Sequence, residues 1–123
     1  MNSYKDLEIY CNSVILAKEV HFMSLQLPKY ELYELGSQIR RSAQSIRSNI
    51  AEGYGRRKYK SDFYRFLIYS HASLIETESH LEMISELYQM EECSGILEKY
   101  HVLGKQLISF ISFVDSNWQT DNR

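Results

Sequence analysis

Ser37-Gln-Ile-Arg-Arg-Ser-Ala-Gln-Ser-Ile-Arg-Ser-Asn-Ile-Ala-Glu-Gly-Tyr-Gly-Arg-Arg57 begins as a helix and runs out into a basic loop. Apolar residues recur at Ile39, Ala43, Ile46 and Ile50. That spacing keeps them on one face of a helix. Gly53 reads as the helix C-terminus, followed by the cationic run Arg56-Arg57-Lys58-Tyr59-Lys60. Beside the apolar stripe lie small or hydrogen-bonding residues, Gln38, Ser42, Ser45, Asn49 and Glu52, where an ordinary surface helix carries Lys, Glu and Ala. This strip reads either as a recognition site or as a buried network that fixes helix register or a subunit contact. Small polar residues let helices approach, which favours the second reading. Asn49 and Glu52 are then expected to be largely buried, within the chain or across a subunit boundary. Buried polar and charged groups need partners, and Arg41 is the obvious one.

Outward from this stretch the helical pattern continues in both directions. A first helix is expected over about 5–25, with Leu7, Tyr10, Val14, Ala17 and His21 on one stripe, and Pro28 ends it. The second occupies about 32–52. The third is expected over 61–88, with Ser61 as N-cap and Asp62 complementing the helix dipole. Its positions Phe63, Leu67, Ser70, Leu74, Thr77, Leu81, Ile84 and Tyr88 form a heptad seam. The fourth, 91–117, continues the spacing through Ile96, Tyr100, Leu103, Leu107, Phe110 and Val114, with Leu97, Gly104, Ile108 and Ile111 beside it. Glycine inside a helix costs ~1 kcal/mol relative to alanine, so Gly104 suggests close approach by another helix. The polar tail from Gln119 to Arg123 is expected to fray. No strand pattern competes, and one proline in 123 residues is few breakers. Four long amphipathic helices with short links specify a single all-α domain over 1–123, an up-down-up-down antiparallel four-helix bundle.

The opening stretch also resembles the signature of the small four-helix-bundle proteins encoded in intervening sequences of bacterial 23S rRNA genes. The matching positions are Ser37-Gln38-Ile39-Arg40-Arg41, Ser45-Ile46, Ser48-Asn49-Ile50-Ala51-Glu52-Gly53 and Gly55-Arg56. Tyr4-Lys5-Asp6-Leu7-Glu8 and Phe63-Tyr64-Arg65-Phe66-Leu67 fit as well. Arg47 departs from the pattern, which has proline there; a proline would kink the helix. The resemblance implies a ring-shaped homopentamer. A relative of the family it resembles, the accessory protein of diversity-generating retroelements, forms a basic barrel that binds nucleic acid and a reverse transcriptase. RNA or DNA is therefore one implied partner, and a protein is another.

Charge is distributed unevenly. The chain carries a net −2. Residues 40–65 hold Arg40, Arg41, Arg47, Arg56, Arg57, Lys58, Lys60 and Arg65 against Glu52 and Asp62 alone, a local balance of +6. Residues 1–39 sum to −2 and residues 66–123 to −6. Such a split describes a bipolar molecule with one basic zone. Arg40, Arg41, Arg47, Arg56, Arg57, Lys58 and Lys60 are the candidate phosphate contacts, with Tyr54 and Tyr59 placed to stack on bases. The competing reading is a solvated loop whose arginines pair with the acidic third and fourth helices. Where the cations lie separates the two readings. A non-enzymatic nucleic-acid-associated module and an oligomeric scaffold for a protein partner are the two functions in play.

Chemistry has little to stand on. Di-iron bundles need paired Glu-x-x-His motifs, and Glu98-Lys-Tyr-His101 is a single copy; His21, His71 and His80 lack matching glutamates. Gly53-Tyr-Gly55 follows a helix and lacks the strand-to-helix setting of a phosphate loop. No metal, cofactor or catalytic residue is expected. Cys11 and Cys93 read as free thiols of a reducing cytoplasm. The polar, acidic start is no signal peptide, and no apolar run approaches the ~20 residues that span a bilayer. Tyr30, Tyr33, Tyr54, Tyr59, Tyr64 and Tyr69 exceed what one thin bundle hides, and tyrosine is common at interfaces.

Overall fold

In a computed structural model, residues 2–121 are described. Four helices account for most of them: α1 Glu8–Ser24, α2 Leu35–Gly55, α3 Lys60–Tyr88 and α4 Glu91–Asn117. Each packs on its neighbours in chain order, and α4 closes back on α1. The pairings run antiparallel: Asn12 with Gln106 and Glu19 with Lys99 between α1 and α4, Ser42 with Thr77 and Ser45 with Ser73 between α2 and α3. The core is one continuous column of buried apolar side chains, from Phe63 and Val114 at one end to Ile84 and Met23 at the other.

The third helix follows its pattern closely. Phe63, Leu67, Ser70, Leu74, Thr77, Leu81 and Ile84 are all buried, and Tyr88 is half-buried. At 29 residues the helix is about 43 Å long. It stops at Gln89, the one non-glycine residue with positive φ among those described, a left-handed C-terminal turn that frees the chain to reverse. Its start differs from expectation. The helix begins at Lys60, with Tyr59 as an N-cap that offers no side-chain hydrogen bond. Ser61 lies inside it and is exposed.

The first helix buries a different stripe from the expected one. Ile9, Ser13, Leu16, Ala17, Val20, Met23 and Ser24 face inward, Tyr10 and Val14 are half-buried, and His21 is exposed. Two apolar series overlap here, and two serines mask the real one. Ser13 Oγ donates to the Tyr10 carbonyl and Ser24 Oγ to the His21 carbonyl, both at 2.7 Å. A hydroxyl satisfied by its own helix can be buried. The helix also starts later than expected. Ser3 and Asp6 form a capping box around a short 3-10 turn at Tyr4–Asp6, and Leu7 is extended before Glu8.

The second helix is shifted toward the C-terminus at both ends. A second 3-10 turn, Lys29–Glu31, delays its start to Leu35. At its far end it runs through Gly53 to Gly55. Gly53 is therefore a packing position and not a cap. A Cβ there would lie 3.0 Å from Phe66 Cβ and 3.4 Å from the Phe63 carbonyl oxygen. Gly104 touches α3 more lightly: its Cβ would meet the side-chain end of Leu74, Cδ2 at 3.3 Å and Cδ1 at 3.8 Å. Along α4, Ile96, Tyr100, Leu103, Leu107, Ile111 and Val114 are buried, Phe110 is half-buried, and Ile108 faces solvent. Among the described residues no helix is long and apolar enough to cross a membrane.

Candidate nucleic-acid interface

The polar strip divides between two faces of α2. Ser42, Ser45 and Asn49 turn toward α3. Thr77 Oγ1 bonds Ser42 Oγ and donates to the Ser73 carbonyl, both at 2.8 Å. Ser45 Oγ lies 2.8 Å from Ser73 Oγ, and Asn49 Nδ2 donates to the Ser45 carbonyl at 2.9 Å. Ser70 Oγ donates to the Ile46 carbonyl across the same seam at 2.7 Å. These hydroxyls seal a close helix contact, as register-fixing groups do. Gln38 and Glu52 point outward and are exposed. Within the chain Glu52 is thus not buried: its carboxylate meets Arg56 at 3.5 Å, not Arg41. The reason is angular, because Gly53 takes the inward position that a buried neighbour of Glu52 would have needed.

The candidate cations also divide. Arg40 is half-buried and serves the fold: one guanidinium nitrogen donates to Ser24 Oγ at 2.8 Å and another to the Leu32 carbonyl at 2.7 Å. It ties α1 and the linker to the start of α2. Arg41 and Arg47 line the outer face of α2 with Ser37, Arg40, Gln44, Ser45 and Ser48, around a shallow groove of about 430 Å³. Arg47 Nε donates to Gln44 Oε1. No carboxylate lines that groove.

The groove leads to the turn between α2 and α3. Arg56, Arg57, Lys58 and Tyr59 are exposed there. Arg56 sits 4.7 Å from the Phe66 ring centre, and Arg57 stacks 3.9 Å from the Tyr54 ring while donating to the Tyr54 carbonyl at 3.0 Å. Lys58 lies 5.5 Å from Tyr59. Tyr54 itself is buried, so Tyr59 is the exposed ring of the two. The half-buried Lys60 donates its ammonium to the Asp115 carbonyl. Ion pairs in this zone join Arg56 to Glu52 and Asp62, and Arg65 to Asp62. Both acids belong to the zone's own balance. The ion pairs recorded on the later glutamates of α3 use His80 and His101, and that of Lys99 on α4 is with Glu19.

A third group of residues gave only a faint signal in the sequence. After α4 the chain turns back over the basic turn. Trp118 Nε1 donates to the Arg57 carbonyl at 2.8 Å, and its ring meets Phe63 edge to face at 5.0 Å. The Lys60 amide donates to Thr120 Oγ1 at 3.2 Å, and the Asp121 amide to the Lys58 carbonyl at 2.7 Å. The tail expected to fray is therefore docked through Asp121; Asn122 and Arg123 lie outside the described residues. A lone tryptophan ahead of a polar tail was the available hint.

Two other titratable groups are shifted by burial away from this zone. Burial raises the Cys93 thiol and the Tyr100 phenol above their ordinary values. Tyr100 Oη is buried without a hydrogen-bond partner. Among the described residues no group of His, Cys, Asp and Glu could hold a metal ion.

The family model described as "23S rRNA-intervening sequence protein" matches residues 5–109. The chain belongs to that family. A solved structure of similar fold comes from Bacteroides thetaiotaomicron, a protein of unknown function from the S23 ribosomal protein family. It is 25% identical, with a TM-score of 0.72, over 84% of this chain and 97% of that one. No curated protein matches. The family match takes in the α2 groove and the basic turn. It ends before the Trp118–Asp121 segment that folds over that turn.

Proposed function

We propose that this protein is a non-enzymatic, oligomeric module that binds nucleic acid along the outer face of α2 and the α2–α3 turn. One observation carries the reading. Arg41, Arg56, Arg57 and Lys58 are exposed and Arg47 is half-exposed on one helix and its following turn, and among the described residues the groove they extend holds no carboxylate. Arg41 to Lys58 spans 17 residues, roughly 25 Å if helical throughout, enough to follow several phosphates of a backbone. Exposed ion pairs such as Arg56–Glu52 are worth about 0–1 kcal/mol, so a phosphate can displace them. Membership of the rRNA intervening-sequence family supports RNA as the nucleic acid, and two free thiols suit a reducing cytoplasm.

Binding of structured RNA across a salt titration tests this. Each phosphate contact contributes roughly 0.7–0.9 to the slope of log K against log salt. Changing Arg41, Arg47 and Lys58 to Gln is expected to weaken binding and flatten that slope, with each change costing the fold no more than about 0.5 kcal/mol. Equal binding by the triple variant would refute the site.

A second reading, a homo-oligomeric scaffold that binds a protein partner without nucleic acid, draws on the apolar surface. Ile15, Phe22, Val102 and Phe113 are exposed beside the α1–α4 groove, and Tyr30 and Tyr33 are among the most exposed side chains. Such area suits contact between copies, and both readings share a homopentamer. Light scattering should give a mass near five chains, and a monomer at micromolar concentration would reject the assembly.

A further inference from the structure

We infer that the C-terminal segment Trp118–Asp121 is a clamp that presets the basic turn for polyanion binding, and that Trp118 and Thr120 are positioning residues for that site. The inference rests on the nucleic-acid reading above and adds a part outside the family-matched residues.

The basic turn is a poor structure by itself. Arg56, Arg57 and Lys58 are consecutive like charges, and α3 starts at a residue whose side chain caps nothing. Both deficits are met from the far end of the chain. Thr120 Oγ1 accepts from the Lys60 amide, the first of the N-terminal amides of α3 that have no partner within the helix. The Arg57 and Lys58 carbonyls accept from Trp118 Nε1 and the Asp121 amide. The Lys60 ammonium closes the same junction on the Asp115 carbonyl. Phe63, buried beneath, carries the Trp118 ring on one side and Phe110 on another. The clamp uses backbone atoms of the turn and leaves the guanidinium of Arg57 stacked outward on Tyr54. A turn held this way binds with less ordering entropy to lose.

Two variants test the clamp without touching a cation. Trp118→Phe keeps a ring on Phe63 and removes the donor to Arg57. Thr120→Val removes the acceptor for Lys60 at nearly constant shape. Both are expected to melt within a few degrees of wild type and to exchange the Lys60 and Asp121 amides several-fold faster. Structured RNA should bind them three- to tenfold more weakly at an unchanged salt slope, because the same phosphates are contacted at greater ordering cost. A variant that merely lost cation contacts would instead flatten the slope. Unchanged amide exchange would overturn the clamp. Faster exchange with wild-type RNA affinity would overturn the positioning role while the nucleic-acid reading stands. Absence of RNA binding by wild type at low salt would remove both.

Discussion

The α2–α3 and α1–α4 seams are built from opposite materials. Between α2 and α3 small residues make the close contacts: Ser42 and Ser45 meet Thr77 and Ser73, Ser70 meets the Ile46 carbonyl, and Gly53 lies against Phe63 and Phe66. Their hydroxyls find carbonyls and one another, so the helices close with nothing left over. Between α1 and α4 the contacts are long side chains, Asn12 with Gln106 at 3.0 Å and Glu19 with Lys99 at 2.8 Å. They bridge an open groove of about 320 Å³, with Ile15 and Val102 more than half exposed. A seam sealed by short hydroxyls is completed within the chain. A seam spanned by long arms leaves apolar area for another surface to cover.

The largest expected effect separates the two seams directly. Ile46 is fully buried, and its carbonyl receives the Ser70 hydroxyl. Ile46→Ala should cost about 2–5 kcal/mol in urea unfolding at any chain concentration. Ile15→Ala should leave the single chain within about 0.5 kcal/mol of wild type and act on assembly instead. Its Tm deficit should shrink on dilution, since association adds stability only by mass action. A concentration-independent loss for Ile15→Ala would show that the groove is closed within the chain.

The two interhelical glycines sharpen the contrast. Gly53→Ala places a methyl 3.0 Å from Phe66 Cβ, with the Phe63 carbonyl oxygen 3.4 Å away. Backbone cannot step aside as a side-chain end can. Overpacking of this kind costs roughly 1–3 kcal/mol, more than the ~1 kcal/mol that alanine returns in helix propensity. Gly104→Ala meets only the mobile end of Leu74, so it should be neutral or stabilising by up to ~1 kcal/mol. Thermal melts of the pair decide it, and a loss at Gly104 matching that at Gly53 would contradict the ranking.

The legibility of the sequence followed the same division. The α3 seam was readable because large apolar residues alternate with only two small polar ones, Ser70 and Thr77. The α1 face was not, because the buried Ser13 and Ser24 satisfy themselves within the helix and look like surface. Gly53 carried a stop signal in the sequence, yet it is a contact residue; the two roles use the same absence of Cβ. The basic zone was legible as charge. Its internal sorting was not, since Arg40 is withdrawn by Ser24 and the Leu32 carbonyl, partners 16 and 8 residues away. The clamp on the turn depends on pairings about 60 residues apart, which no local pattern encodes.

The smallest expected effect lies on a further seam, α3–α4, where a charge has been half-hidden. Glu78 Oε2 lies 3.3 Å from His101 Nε2, with its side chain only 15% exposed. Burial raises its carboxyl above the ordinary carboxylate value, while His101 and His71 pull it down and Glu82 pushes it up. The net direction is upward. A carboxyl raised on folding contributes stability that is fully present below its unfolded pKa and is lost as pH rises through the folded one. At neutral pH Glu78 therefore works against the fold, except so far as a protonated histidine offsets it. Glu78→Gln keeps the shape and removes the charge. It should match wild type near pH 4 and exceed it in unfolding free energy by about 0.5 kcal/mol near pH 8. A variant less stable than wild type at pH 8 would show that the Glu78–His101 contact outweighs burial, and would make α3–α4 a seam held by charge.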